Sequence, residues 1–395
     1  MKGFLSFGLL LIMICALTGC SSAGSYYKSG KDYFVSGNYA EAEKSFSSAI
    51  KKNPNRADYY IDYGMSLIAV GKYTTAIKQF DRAYLDKDIR MIKANNKRAL
   101  RGKGIAYFSM MKYKKAIKQF DLALSISELS KLDMDILYYK GSSLMAIGEN
   151  ENAEKVYDKI LSMDSDNTEA LYDRASVYRN MGDYAKSLAD YDEAITLSPN
   201  NYNYYFGKYN LLIENGKNKE ASDVLKKAAA IKVKTNEDKY NLAKIHYFQG
   251  RYDAALSELS EGFANGFSEA YYYIGEVYRM KKDYKSAVYY YEKYIEEDKS
   301  PSPAVYNQAG ACLIKLEDYT KALQYLEKGI EYQQTGSLQS LMKNEIIAYE
   351  NLGSFDKAYE SLIKYLDLNP EDKDAQGELD FVKTRMPKIK EDSNK

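Results

Sequence analysis

Gly37-Asn38-Tyr39-Ala40-Glu41-Ala42 returns 34 residues later as Gly71-Lys72-Tyr73-Thr74-Thr75-Ala76, and again as Gly182-Asp183-Tyr184, Gly250-Arg251-Tyr252 and Gly353-Ser354-Phe355. A motif that recurs at fixed spacing marks an array of equivalent supersecondary units, each burying its apolar face against its neighbours. Around the first copy stand Tyr26, Gly30, Tyr33, Gly37, Tyr39, Ala42, Phe46, Ala49 and Pro54, with mostly polar residues between them. Two helical stretches therefore flank a short turn. Glycine inside a helix costs about 1 kcal/mol against alanine, so Gly30 needs a packing reason. Close approach supplies it: a bare Cα at Gly30 and methyls at Ala42 and Ala49 let helices interlock at short axial distance. Pro54 has no N–H to donate and disfavours helix in the residue before it, so the second helix ends there.

This pattern resembles the tetratricopeptide repeat, whose 34-residue signature runs aromatic, Leu-Gly, Tyr, Ala, Phe or Tyr, Ala, Pro. Ten copies can be placed, beginning near Ala23, Ala57, Lys97, Met134, Thr168, Tyr202, Asn236, Ser268, Pro303 and Gln339. The signature tryptophan is absent throughout, and repeats six, seven and ten lack several of the small residues. The resemblance implies an all-α fold, a right-handed superhelical solenoid of about ten helix-turn-helix repeats over residues 26–372. Two steps break the register: Ala83 to Ala123 spans 40 residues, and Ala123 to Ile160 spans 37. Longer loops or extended helices are expected there. Ala375, Leu379 and Val382 then recur at helical spacing, predicting a capping helix over 373–387 closed by Pro387, with a disordered tail at 388–395.

Met1-Lys2 precedes an apolar run from Phe4 to Leu17, short of the roughly 20 residues a spanning helix needs, which reads as a targeting segment. Leu17-Thr18-Gly19-Cys20 resembles the lipobox of bacterial lipoproteins. That resemblance implies a signal peptide over 1–19, a lipidated (palmitate-type) Cys20 at the new N-terminus and a short tether over 20–25. Each buried methylene contributes about 0.8 kcal/mol, so several acyl chains would hold the protein on a membrane. Five extended tether residues reach at most about 18 Å, which places the first repeat near the bilayer. The expected location is the bacterial cell envelope, on the extracytoplasmic side.

Lys2 is the sole charged residue in 1–19, so the remaining chain carries equal numbers of cationic and anionic side chains, and nucleic acid is not suggested as a partner. Cys15 would leave with the signal and Cys20 is the lipid site, which leaves Cys312 without a partner for a disulfide. It stands beside Gly310 and Ala311, as a small buried residue would. His246, the only histidine, falls where the repeat places a core-facing aromatic, so no triad can readily use it. There is no GxxxxGK[ST] loop, no CxxC and no HExxH, so no cofactor or metal is expected and the chain does not read as an enzyme.

In the family this sequence resembles, first helices line a concave groove. The position after the signature aromatic reads Tyr27, Ile61, Arg101, Tyr138, Tyr172, Phe206, Tyr240, Tyr272, Asn307 and Lys343 through the ten repeats. Five consecutive copies, Tyr138 to Tyr272, are aromatic and predict a ladder, with a second row through Phe34, Phe108, Met145, Ile213 and Tyr247. With 41 tyrosines in the chain, these rings can also simply pack between neighbouring repeats. In repeat eight, Tyr271, Tyr278, Tyr284 and Tyr291 fill the core slots, which leaves Tyr272 to face elsewhere. Rings with a polar tip suit a wet binding surface. The expected partner is an extended polypeptide or a partner helix fixed by Arg179, Asn210, Lys244, Glu276 and Arg279 between the rings. The alternative is an envelope glycan stacked on tyrosine faces.

The Lys and Asn clamp with which family members hold chaperone C-termini is not matched at the N-terminal end, where Tyr27, Lys31, Ile61 and Met65 occupy the slots. A basic run, Lys87, Arg90, Lys93, Lys97, Arg98, Arg101 and Lys103, spans the first register break. It reads as a solvated face, or as a surface that orients the array on an anionic bilayer or wall polymer.

Overall fold

A computed structural model describes residues 22–264, 266–298, 301–332 and 335–386. Cys20, the segment 1–19, Pro387 and the tail 388–395 lie outside the described residues. The described residues form twenty-one α-helices and one 3-10 turn, in two compact units divided after Gly182. None of the described helices is long and apolar enough to cross a membrane.

The first unit holds α1 (Ala23–Val35), α2 (Tyr39–Lys52), α3 (Ala57–Ala69), α4 (Tyr73–Ala83), α5 (Arg90–Ser109), α6 (Tyr113–Leu124), α7 (Asp133–Ala146), α8 (Asn150–Met163) and α9 (Thr168–Asn180). The second holds α10 (Tyr184–Leu197), α11 (Tyr202–Glu214), α12 (Asn218–Ala229), α13 (Asn236–Phe248), α14 (Tyr252–Ala264), α15 (Glu269–Met280), α16 (Tyr284–Glu297), α17 (Pro303–Lys315), α18 (Tyr319–Glu331), α19 (Thr335–Asn351), α20 (Phe355–Leu368) and α21 (Lys373–Arg385). Within each unit every helix packs on the one before it. First helices of successive repeats also meet, as in α3 with α5 and α17 with α19, which makes them the inner wall.

Local chemistry sets the helix ends. Asp283 and Asp318 accept the amide hydrogens of Ser286 and Lys321 and so cap α16 and α18. The intra-repeat turn passes through the left-handed region: Gly37 at φ 76° and Gly71 at φ 75° are two instances. Where the glycine is missing the geometry persists, with Met111 at 56°, Lys282 at 61° and Glu317 at 60°. The turn is therefore dictated by hairpin packing, and those three side chains are forced into a conformation that glycine adopts freely.

The helical glycines seat rings of the partner helix. A Cβ built on Gly30 would lie 2.7 Å from Phe46 Cδ1, and one on Gly104 would lie 2.2 Å from Phe120 Cε1. The glycine and the ring are 16 residues apart in both hairpins. Where the first position is large the second shrinks: Tyr209 answers Leu225, and Ile346 answers Leu362, each pair within one core cluster. Ala42, Phe46 and Ala49 are fully buried, as the small-residue pattern requires.

Both register breaks have physical carriers. The first is taken up by residues 84–89 and by α5, which at 20 residues begins ahead of the Lys97 expected from the repeat. The second contains the 3-10 turn Ser130–Leu132, entered through Leu129 at φ 52°. At the far end α21 is capped by Asp372 and buries Ala375 and Val382 against the last repeat.

Candidate functional site

In the second unit, α11, α13 and α15 bring together most of the side chains singled out for the groove. Glu276 is the centre. It is only 4% exposed, and its Oε1 accepts the Tyr291 hydroxyl at 2.5 Å. Its Oε2 accepts the Tyr247 hydroxyl at 3.2 Å, and Arg279 donates Nε to Oε1 at 3.1 Å and Nη2 to Oε2 at 2.7 Å. A fork-on-carboxylate pair of this kind fixes the guanidinium plane. Burial pushes the Tyr247 and Tyr291 hydroxyls well above the usual tyrosine range, reinforced by the Glu276 charge, so both stay protonated donors. The same carboxylate holds Arg279 firmly charged. Arg279 keeps about a third of its side chain exposed (32%), whereas the Glu276 carboxylate it grips is buried.

One turn away, Lys244 sits among aromatic faces. Its Nζ lies 5.0 Å from the Phe206 ring centre, 5.4 Å from Tyr240 and 4.9 Å from Tyr273, and 3.4 Å from Glu269 Oε2. This is a cation held by ring quadrupoles and one carboxylate. Tyr240 donates its hydroxyl to the same Glu269 at 2.6 Å.

The aromatic ladder is not a uniformly exposed row, and this corrects the groove expectation. Phe206 and Tyr240 are buried, and Phe206 packs on Phe248 while Tyr240 stacks on Phe267. Tyr272 is half-buried against Tyr291 and Tyr294, so filling the other slots of repeat eight did not free it to face elsewhere. In the first unit Tyr138, Tyr172 and Arg179 are half-buried, and Tyr138 hydrogen-bonds Asn167 at the start of the next first helix. Tyr240 reaches Glu269 across the same 29-residue step. The rings thus seal seams between repeats, because stacking first helices closely leaves a gap that a large ring fills, with its hydroxyl hydrogen-bonded where it is buried, as in Tyr138 and Tyr240. Asn210, Tyr247, Tyr272 and Arg279 keep partial exposure, whereas Lys244 and Glu276 are buried. In the second row Ile213 is exposed.

The basic run is also reorganised by folding. Lys97 is fully buried, with Nζ 2.5 Å from Asp133 Oδ1 and 2.7 Å from the Ile126 carbonyl that takes its aligned hydrogen. Arg98 pairs with Asp62 at 2.8 Å, Arg101 with Asp135, Lys103 with Asp81 at 2.6 Å and Lys93 with Asp88. Asp62 also accepts the Tyr27 hydroxyl at 2.6 Å. Most of the run is therefore neither a solvated face nor a free cationic surface; it neutralises acids on adjacent helices. Lys87 and Arg90 alone lack an ion pair among the described residues.

His246 is 8% exposed and its Nδ1 lies 2.6 Å from Glu258 Oε2, a packed imidazole oriented by one carboxylate. Cys312 is buried and its thiol is pushed up to about 12 by that burial, which keeps it a poor nucleophile. Sequence reasoning missed Glu269, Tyr273 and the acids Asp62, Asp133 and Asp135. Their signal was the step of about one repeat separating each from its partner on the neighbouring first helix.

Comparison with known proteins agrees with this architecture. Models described as tetratricopeptide repeat match residues 168–201, residues 27–91, 64–131 and 240–303, and residues 135–167, 303–335 and 347–372. Among curated proteins, BBSome complex member BBS4 of Bos taurus is 23% identical over 314 residues, covering 78% of this chain and 57% of that protein. DnaJ homolog subfamily C member 7 homolog of Schizosaccharomyces pombe is 26% identical over 183 residues, covering 43% of this chain and 38% of that protein. The chain spans about half the length of the curated relatives it matches, or less. The crystal structure of yeast Tom70 superposes with a TM-score of 0.53 at 14% identity, covering 94% of this chain and 90% of that one, a likeness of fold alone. Repeat models matching most of the length, over paired helices that pack neighbour on neighbour, show that the chain belongs to the tetratricopeptide repeat family.

Proposed function

We propose that this protein is a scaffold that binds an extended peptide or a partner helix along the inner wall formed by its first helices, with no catalytic role. One observation carries the reading: Arg279 is gripped by a buried carboxylate, itself fixed by two tyrosine hydroxyls, while a third of the arginine stays open to solvent. A preorganised guanidinium flanked by the half-buried Tyr247 and Tyr272 suits recognition of a partner's carbonyls or carboxylates at low entropic cost. A relative named as a member of a complex fits such a role. We further propose that Cys20 anchors the chain by lipid on the extracytoplasmic side of a bacterial envelope, a reading supported by the apolar run and the Leu17-Thr18-Gly19-Cys20 sequence.

A photo-crosslinking residue placed at Asn210 in cells should capture a discrete protein partner, and Arg279→Ala should abolish that product while leaving helicity unchanged. An undiminished product in Arg279→Ala would remove the inner wall from consideration. Labelling with a palmitate analogue that persists in Cys20→Ser would remove the anchor.

A further inference from the structure

The first register break exposes apolar side chains that the repeat itself does not require. Leu85 is 46% exposed, Ile89 52% and Met91 72%, all within seven residues, with Tyr84 beside them at 43%. The segment does not hang loose. Asn96, buried on α5, accepts the Leu85 amide at 3.0 Å and donates Nδ2 to the Leu85 carbonyl at 2.7 Å. Lys87 and Ile89 then donate their amides to the carbonyls of Leu85 and Lys87, each at 3.0 Å. A buried amide side chain thus pins the backbone in both directions, and the apolar side chains are held outward although burying them would be favourable.

The position of the segment on the first unit is fixed by topology. Helices α1 to α5 alternate in direction, so the start of α1, the end of α2, the loop 53–56 and the segment 84–91 share one edge, opposite the Gly37 and Gly71 turns. That edge is basic where it meets solvent: Lys51 and Lys52 end α2, Arg82 ends α4, and Lys87, Arg90 and Lys131 are exposed beyond them. Asp86 is exposed with them, and Asp88 is paired with Lys93. The edge also carries the chain's entry, since Ser22 caps α1 through the Ser25 amide. Two extended residues span at most about 7 Å, so a group attached at Cys20 stays close to it.

We propose that this edge of the first unit is a membrane-seating surface, in which Leu85, Ile89 and Met91 enter the interface of an anionic bilayer and the surrounding lysines and arginines meet its headgroups. The inference rests on the lipid-anchor reading for its orientation. Exposed apolar side chains ringed by cations at the end nearest a lipidated residue match a bilayer interface, where methylenes leave water while the charges stay at headgroup level. The paired remainder of the basic run, Lys97 to Lys103, faces neighbouring helices and takes no part.

The test uses the mature, full chain isolated from membranes and reconstituted into phosphatidylcholine vesicles with or without phosphatidylglycerol. Ile89→Cys carries an environment-sensitive fluorophore, and Val35→Cys, 86% exposed on the opposite edge, is the control; buried Cys312 does not compete for the label. Blue-shifted emission and quenching by brominated lipid at position 89, stronger with phosphatidylglycerol and absent at position 35, are expected. Identical aqueous spectra at the two positions would overturn the surface, as would a shift at 89 produced by an added soluble protein but not by vesicles. The anchor is read separately from acyl labelling. An acylated chain with an aqueous label at 89 leaves the anchor standing and removes the surface; a chain without acylation whose label at 89, read in a Cys20→Ser background, still enters lipid does the reverse.

Discussion

Tyr291 donates its hydroxyl to Glu276 at 2.5 Å from the helix behind, while Arg279 grips the same carboxylate from the solvent side. The buried acid thereby joins the core of the second unit to its inner wall. Removing the tyrosine hydroxyl takes away a hydrogen bond to a charged group, so Tyr291→Phe should lower stability by about 1.5–3 kcal/mol. Glu276→Leu should cost at least as much, because it leaves Arg279 and two hydroxyls without their acceptor. Chemical denaturation followed by circular dichroism measures both, and a loss under about 0.5 kcal/mol for both variants would show that the network is not cooperative with folding.

Gly104 and Phe120 occupy one space. Alanine normally improves a helix interior by about 1 kcal/mol over glycine. Here the added methyl meets the ring at 2.2 Å, so Gly104→Ala should instead destabilise the first unit by about 1–3 kcal/mol. Adding Phe120→Leu should recover part of the loss, as the natural pairing of Tyr209 with Leu225 suggests. The double-mutant cycle reads the coupling directly.

The three intra-repeat turns without glycine are strained. Met111→Gly, Lys282→Gly and Glu317→Gly relieve a left-handed conformation that costs an L-residue about 1–2 kcal/mol, against the added unfolded-state entropy of glycine. Each should raise stability by about 0.5–1 kcal/mol, seen as a higher thermal midpoint. A fall in midpoint for all three would mean that side-chain contacts outweigh the strain.

Docking of α21 should weaken as pH rises. Burial, and then the charge of Glu378 on α21, push the Glu350 carboxyl up to about 7. A folded value above the ordinary one of about 4.3 means the folded state holds the proton more tightly. The contribution is fully present below that ordinary value and is lost as pH climbs through about 7. Amide exchange in Lys373–Arg385, after correction for the intrinsic rate, should accelerate between about pH 5 and pH 8 in the native protein. Glu350→Gln should flatten that dependence.

Lys97 is a structural cation although it sits in a run that looks like a surface feature. Lys97→Ala strands the Asp133 carboxylate and the Ile126 carbonyl and should cost about 3–5 kcal/mol, whereas exposed Arg90→Ala should change stability by less than about 0.5 kcal/mol. Denaturation midpoints of the two variants settle the contrast.

How far the sequence could be read follows from which interactions are local. The recurrence from Gly37 onward determined the helix pairs and, for most repeats, their first residues, because turn glycines, small residues at the crossing and proline at the exit act within one hairpin. It also determined that Cys312 and His246 are packed rather than poised, since each stands at a core slot of its repeat. What the tertiary structure alone decided is which polar residues keep access to solvent. Phe206 and Tyr240 share a register position with Tyr138 and Tyr172, yet only the latter two stay partly open. Lys97 and Arg90 belong to one basic run, yet one is buried and the other is free. The reason is physical: burial depends on what the next repeat places roughly one period further on, here Glu269 for Tyr240, Phe248 for Phe206 and Asp133 for Lys97. Such partners come together only when the helices stack, so the period fixes where a side chain stands and the packing of neighbouring repeats fixes what it can reach.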